Sequence, residues 1–155
     1  RHLIFSRRLD TPLNIVDTRF APLRRKYEGH ISPEARLGSW WRECVLGNLD
    51  PAEYRLDDKQ TGATAARALF WEMKDYGWRW GSPAVGIFDL QVRNDLRRQG
   101  LGKYLVAQLL RHLQDQYFGI AEVQVAEKDE NVANAFRALG FLQVDIGVTY
   151  RKMLV

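Results

Sequence analysis

Hydrophobic and polar positions follow two rhythms along this chain, and the changes of rhythm mark its elements. In Leu101–Tyr117 the apolar residues fall at 101, 105, 109 and 113 and at 106, 110 and 117, a helical spacing with a broad buried face. Ala84–Val92 (AVGIFDLQV) is a mostly apolar run of strand length. In Ile120–Ala126, Ala121, Val123 and Val125 share one side of a second strand. Glu53–Asp57 and Ala63–Met73 read as two more strands. The turn chemistry of Asp58-Lys59-Gln60-Thr61-Gly62 between them predicts an antiparallel hairpin. Asn131–Leu139 is predicted as a short helix ended by Gly140, since glycine tolerates positive φ, and Phe141–Val144 and Val148–Leu154 as closing strands.

Upstream the pattern is weaker. Residues 3–8 suit a short strand, and 10–31 look irregular. Ser32-Pro33-Glu34 signals a helix start, and that helix is expected to run to about Leu46 and stop at Gly47-Asn48. Residues 74–83 (KDYGWRWGSP) read as a loop dense in glycine and aromatics. The order predicts a mixed α/β sheet of at most three layers, and 155 residues without repeat or linker predict one domain, 1–155.

Composition narrows the function classes. At 46% hydrophobic and 27% charged residues, the chain is globular rather than disordered. No apolar run approaches the ~18–20 residues that span a bilayer, and the opening RHLIFSRRLDTPL lacks a signal-peptide core, so no membrane partner is expected. A single cysteine, Cys44, rules out a disulfide framework and makes a cytoplasmic setting the expectation. The chain does not begin with Met, which suits a processed protein or one domain of a longer one. Its net charge of +4 is concentrated in Arg93, Arg97, Arg98 and Lys103, a cluster suited to a small polyanion rather than a nucleic acid. Arg24-Arg25-Lys26 reads as a solvated stretch. His2, His30, His112 and Cys44 are too scattered for a metal site, and His112 reads as solvated.

The chemistry concentrates in Val92-Arg93-Asn94-Asp95-Leu96-Arg97-Arg98-Gln99-Gly100-Leu101-Gly102-Lys103. A strand ends, a polar turn follows, and two glycines open an amphipathic helix. The free N–H groups of its first turn, the helix dipole and the nearby cations suit a phosphate or pyrophosphate. The plainer reading is a tight turn with solvated basic side chains. A Walker loop is excluded, because Arg97 and Tyr104 stand where it needs Gly and Ser or Thr. A dinucleotide fingerprint is excluded by Leu105.

Arg97-Arg98-Gln99-Gly100-Leu101-Gly102 resembles the signature of the GNAT superfamily of N-acetyltransferases: Arg or Gln, two residues, Gly, one residue, then Gly or Ala. A second family feature, a short helix ending in Leu-Gly-Phe, is matched by Asn131 to Phe141. The resemblance covers residues 84–155 by motif, the cofactor-binding half. By element order alone it extends over the acceptor-side half, 1–83. It implies the GNAT acyl-CoA N-acyltransferase fold, a mostly antiparallel sheet with one splayed parallel pair, flanked by helices. It also implies acetyl-CoA as cosubstrate, no metal, and a small-molecule or peptide amine as acceptor.

Carried over residue by residue, the resemblance assigns the pyrophosphate to Arg97, Arg98, Gln99, Gly100, Leu101, Gly102 and Lys103. It assigns the pantetheine arm to the backbone of Leu90, Gln91 and Val92, and places Asn131, Asn134 and Phe136 beside the thiol. A backbone N–H near Val92 would polarise the thioester. The family often has a Tyr acid where this chain has Phe136, which cannot donate a proton; the nearest spare phenol by topology is Tyr150. For the base, period two puts Ile87, Asp89 and Gln91 on one side of their strand, making Asp89 the first candidate, ahead of Glu122 and Glu127. Salt bridging or capping is the alternative role for Asp89. Trp40 and Trp41 fall on the first helix, an element that borders the acceptor in this family, and Phe70, Trp71, Tyr76, Trp78 and Trp80 suit either core anchors or an acceptor wall. Two functions follow: direct acetyl transfer to a primary amine, or a non-catalytic acetyl-CoA-binding domain of the same fold. Either would suit a homodimer or one half of a tandem protein.

Overall fold

In the computed structural model, strands His2–Arg8 (β1), Tyr27–Ser32 (β2), Ala52–Asp58 (β3), Thr64–Glu72 (β4), Ala84–Val92 (β5), Ile120–Ala126 (β6) and Leu142–Gly147 (β7) form one sheet, in the order β2-β3-β4-β5-β6-β1-β7. Helices Phe20–Lys26 (α1), Lys74–Trp80 (α2), Leu101–Asp115 (α3) and Glu130–Ala138 (α4) accompany it. The structure describes residues 1–33, 35, 50–150 and 152. The helix expected from Pro33 to Leu46, with Trp40, Trp41 and Cys44, lies outside the described residues apart from its first positions. Every neighbouring strand pair is antiparallel except β5–β6.

The strongly patterned elements form for the reasons their sequences supply. The apolar stripe of α3 is buried from Leu101 to Leu113 and packs across β3, β4 and β5. Each fully buried leucine there is worth roughly 1.5–3 kcal/mol over leaving it in water. The β3–β4 hairpin is closed by the Asp58 carboxylate, which accepts from the Gln60 and Thr61 N–H groups at 2.8 and 3.1 Å. His112, expected in solvent, is half-buried against the rings of Tyr54 and Phe70 at 6.2 and 6.3 Å. No helix of the described residues is long and apolar enough to cross a membrane.

Other expectations are corrected. Residues 10–31 are not all irregular: α1 and β2 lie there, α1 burying Phe20 and Leu23, and β2 burying little beyond Tyr27. Residues 74–80 form α2, which is capped by Gly81 at φ +65° rather than being loop throughout. The closing strand expected at Val148–Leu154 is not formed over Val148–Tyr150; residues 151 and 153–155 lie outside the described residues. β1 instead fills the place between β6 and β7, antiparallel to both, with Phe5 fully buried. Arg7 of β1 donates to the Leu139 carbonyl at the end of α4, fastening the strand to the helix.

The parallel pair β5–β6 positions the site. Pairing runs from Ala84 opposite Ile120 to Ile87 opposite Val123 and then ends, although both strands continue. On its other edge β5 bulges: Leu69 faces Phe88 and Arg67 faces Gln91, two steps on β4 against three on β5. The extra residue falls at Asp89-Leu90, with Asp89 at φ +51°. Such a bulge bends the strand and turns it from its neighbour.

Candidate functional site

A cleft of about 900 Å³ opens where β5 and β6 part, bounded by β5, the loop into α3, and α4. The loop is built locally. Its first turn, Asn94–Leu96, buries Leu96, and Arg93 is held by Asp95 at 2.7 Å, which removes one cation from the cluster. Arg98 at φ +64° and Gly100 at φ +78° then reverse the chain into α3. Leu101, Gly102 and Lys103, whose amides have no partner within the helix, line the cleft. Gly102 brings α3 close to the strand: a Cβ there would stand in van der Waals contact with Val92 Cγ2, 3.4 Å away. The arrangement presents an N-terminal helix turn, two exposed arginines and a half-unpaired strand edge to one space. It can bind an anionic head and hydrogen-bond an extended polar chain behind it.

Leu90, Gln91, Val92, Arg97, Arg98, Gly100, Leu101, Gly102, Lys103, Asn131 and Phe136 all line this cleft. Gln99 and Asn134 do not: Gln99 is exposed beside the turn, and Asn134 Oδ1 accepts from Arg137 Nη1 at 2.8 Å. Phe136 is 2% exposed and meets Phe141 edge-on, with ring centroids 5.2 Å apart. Tyr150 is 89% exposed beyond the end of edge strand β7 and lines no part of the cleft. Asp89 sits half-buried in the bulge and is not among the lining residues. The bulge also overturns the period-two argument that placed it. Ile87, Leu90 and Val92 belong to the same core face, while Gln91 turns outward and accepts from Arg67 Nε at 3.3 Å.

The opposite face of the sheet carries a different group. Ala121, Val123 and Val125 join the core, so Glu122 points the other way, directly opposite Gly86 and one rung before the strands part. Burial pushes the Glu122 carboxyl up, and repulsion from Asp145 adds to the shift; a hydrogen bond from the Tyr76 hydroxyl opposes it. Burial and the adjoining Glu122 also raise Tyr76. Trp71 covers Gly86 so closely that a Cβ there would stand 2.6 Å from its indole Nε1. Trp71 and Tyr76 wall a second cavity of about 630 Å³. Glu127, by contrast, is paired with Arg1 at 3.6 Å. Arg19, at the start of α1, also reaches the cleft beside the glycine turn. Sequence reading missed it because an Asp-x-Arg on an irregular stretch carries no signal for a loop eighty residues away.

The chain matches the family model described as Acetyltransferase (GNAT) family over residues 17–141. Among solved structures it is similar to an aminoglycoside acetyltransferase from an uncultured soil metagenomic sample, in complex with trehalose. That likeness has 14% identity and a TM-score of 0.64, covering 86% of this chain and 99% of the other. It is similar to glucosamine-6-phosphate N-acetyltransferase from Arabidopsis thaliana at 16% identity and a TM-score of 0.56, over 80% of this chain and 98% of that one. A tandem GNAT protein from the clavulanic acid biosynthesis pathway is similar at 15% identity and a TM-score of 0.58; 92% of this chain is covered, but only 50% of that protein. At such identities the likeness is one of fold. A search of curated proteins by sequence finds no match.

Proposed function

The chain belongs to the acetyltransferase (GNAT) family, and from that premise we propose that it moves the acetyl group of acetyl-CoA onto a primary amine of a small molecule or peptide by direct attack. The observation that carries this reading is the meeting, in one cleft, of a helix-opening glycine loop with the edge of a parallel pair that stops pairing at Ile87 and Val123. Acetyl-CoA supplies an activated thioester, and the chain's residues hold and orient it. The amides of Leu101 to Lys103 with Arg97 and Arg98 take the diphosphate, and Gly100 and Gln99 shape the turn. Backbone groups of Leu90, Gln91 and Val92, left without a β6 partner, bond the pantetheine amides, and an N–H there polarises the thioester oxygen. Asn131 and Phe136 wall the thiol end, with Asn134 behind them.

The amine comes from the opposite face, where Glu122 accepts its proton directly or through water. A carboxyl raised by burial exchanges protons closer to neutral pH than an exposed one, and Tyr76 fixes its orientation. Asp89, at the bulge, is the alternative base. With Phe136 in place of an acid, the leaving thiolate takes its proton from water. The buried Phe136 equally supports the second reading, a domain that binds acetyl-CoA without turnover.

Calorimetry with acetyl-CoA followed by thiol release over a panel of aminoglycosides, amino sugars and peptides tests both readings. Binding with amine-dependent thiol release is expected. Binding without release would leave only the non-catalytic reading, and no binding would overturn both.

A further inference from the structure

We propose that Arg19 is a ligand of the cofactor's 5′-diphosphate, held over the phosphate loop by Asp17, a positioning residue shared with Lys103. The proposal rests on the acetyl-CoA reading above. Asp17 Oδ1 accepts from the Arg19 backbone N–H and from Arg19 Nε, both at 3.0 Å. Its Oδ2 accepts from Arg19 Nη2 at 2.7 Å and from Lys103 Nζ at 3.1 Å. One carboxylate, its side chain only 10% exposed, thus ties an arginine from the N-terminal segment to the lysine in the first turn of α3. Arg19 first and Lys103 second hold the Asp17 carboxyl well below the usual carboxylate range. The trio carries a net positive charge beside the loop.

The arginine's placement says what that charge is for. Its Cζ, Nε and Nη1 lie 2.9, 3.0 and 3.0 Å from where a Cβ on Gly100 would stand. The guanidinium therefore lies flat across the glycine at the mouth of α3. Asp17 takes Nε and Nη2, which leaves the Nη1 edge at the loop, and Arg19 lines the same cleft as Gly100, Gly102 and Lys103. A planar fork of N–H donors with one edge pinned and the other facing an anion site suits two-point contact with phosphate oxygens. A purely structural tether is not needed here. α1 already packs on α3 through Phe20 and Tyr104, whose rings are 5.3 Å apart.

The test is calorimetry of the whole chain with CoA, dephospho-CoA and pantetheine, alongside thermal unfolding. Arg19→Ala should weaken CoA and dephospho-CoA alike by roughly ten- to a hundredfold, the weight of one or two charge-assisted hydrogen bonds. It should leave pantetheine binding unchanged, and Arg19→Lys should restore only part of the loss. Asp17→Asn gives the sharper readout. Removing a negative charge beside an anion site would by itself tighten binding, so weaker binding identifies Asp17 as the group that aligns Arg19 and Lys103. An Asp17→Asn loss that disappears in the Arg19→Ala background assigns it to Arg19. Unaltered affinity in Arg19→Ala, or tighter binding in Asp17→Asn, overturns the proposal. Loss confined to CoA moves Arg19 to the 3′-phosphate and overturns the diphosphate assignment. If Arg19→Ala fails to fold, Arg19→Gln carries the same comparison. A wild-type chain that binds no CoA overturns the acetyl-CoA reading itself, whereas binding insensitive to Arg19 overturns only this inference.

Discussion

Two carboxylates on opposite faces of the sheet are pushed in opposite directions. Asp17, beside the glycine turn of α3, is held low by Arg19 and Lys103, and Glu122, beside the point where β5 and β6 part, is raised by burial. The loop side gathers positive charge and keeps its carboxylate ionised, as a site for a permanent anion needs. On the other side burial favours the neutral form of a carboxyl, which suits the proton acceptor proposed above. The two regions also differ in what they are made of. The loop side is mostly backbone from nearly contiguous residues, 90–103 and 131–136. The Glu122 side is side chains from β4, α2 and β6 around Gly86 of β5, brought together by strand pairing and the packing of α2.

The comparison breaks most readily at Gly100. Gly100→Val forces a β-branched residue to φ +78° and displaces the Arg19 guanidinium, so acetyl-CoA affinity should fall by more than about a hundredfold in calorimetry. Of comparable size, but confined to the other face, is Glu122→Gln. It should lower kcat by roughly 10²–10⁴-fold while leaving acetyl-CoA affinity as it was. A larger loss of kcat in Asp89→Asn would transfer the base to the bulge.

A smaller effect sharpens the electrostatic half of the contrast. Tyr76→Phe removes the hydrogen bond that favours the Glu122 carboxylate, so its pKa should climb further and the acidic limb of the kcat profile should move to higher pH. Stability should respond with opposite signs on the two faces. The Asp17 contribution is full above its ordinary 3.8 and is lost as pH falls toward its lower folded value. Glu122 binds its proton more tightly when folded, so its contribution declines as pH rises from its ordinary 4.5 through the raised folded value. Acid unfolding curves of Asp17→Asn and Glu122→Gln should therefore flatten in opposite senses. Smallest of all, Tyr150→Phe should leave kcat within about twofold, as expected for an exposed group outside the cleft.

The loop side was largely legible in the order of residues. Gly140 ends α4 at φ +85°, as the pattern expected, and the turn that opens α3 carries Gly100 at φ +78° beside the cleft. Asp89 illustrates the limit. Strict alternation would align it with Ile87 and Gln91, but one extra residue opposite Ala68 changes which side each later residue faces, and nothing local in FDLQV announces it. β1 illustrates another. His2–Arg8 and Val148–Tyr150 both read as strand, but only His2–Arg8 forms one, and pairing with β6 and β7 gives it its place in the sheet.

The order of residues was enough to set the elements with strong periodicity and the glycine turn that opens α3. Each depends on φ preferences and side-chain spacing within a dozen residues. Tertiary structure alone decided that β1 enters between β6 and β7, that Arg19 lies over Gly100, and that Glu122 with Tyr76 stands beside the parting strands. Those choices turn on register and on contacts between residues far apart in the chain, where the free energy of a fit depends on the whole assembled sheet rather than on any one segment.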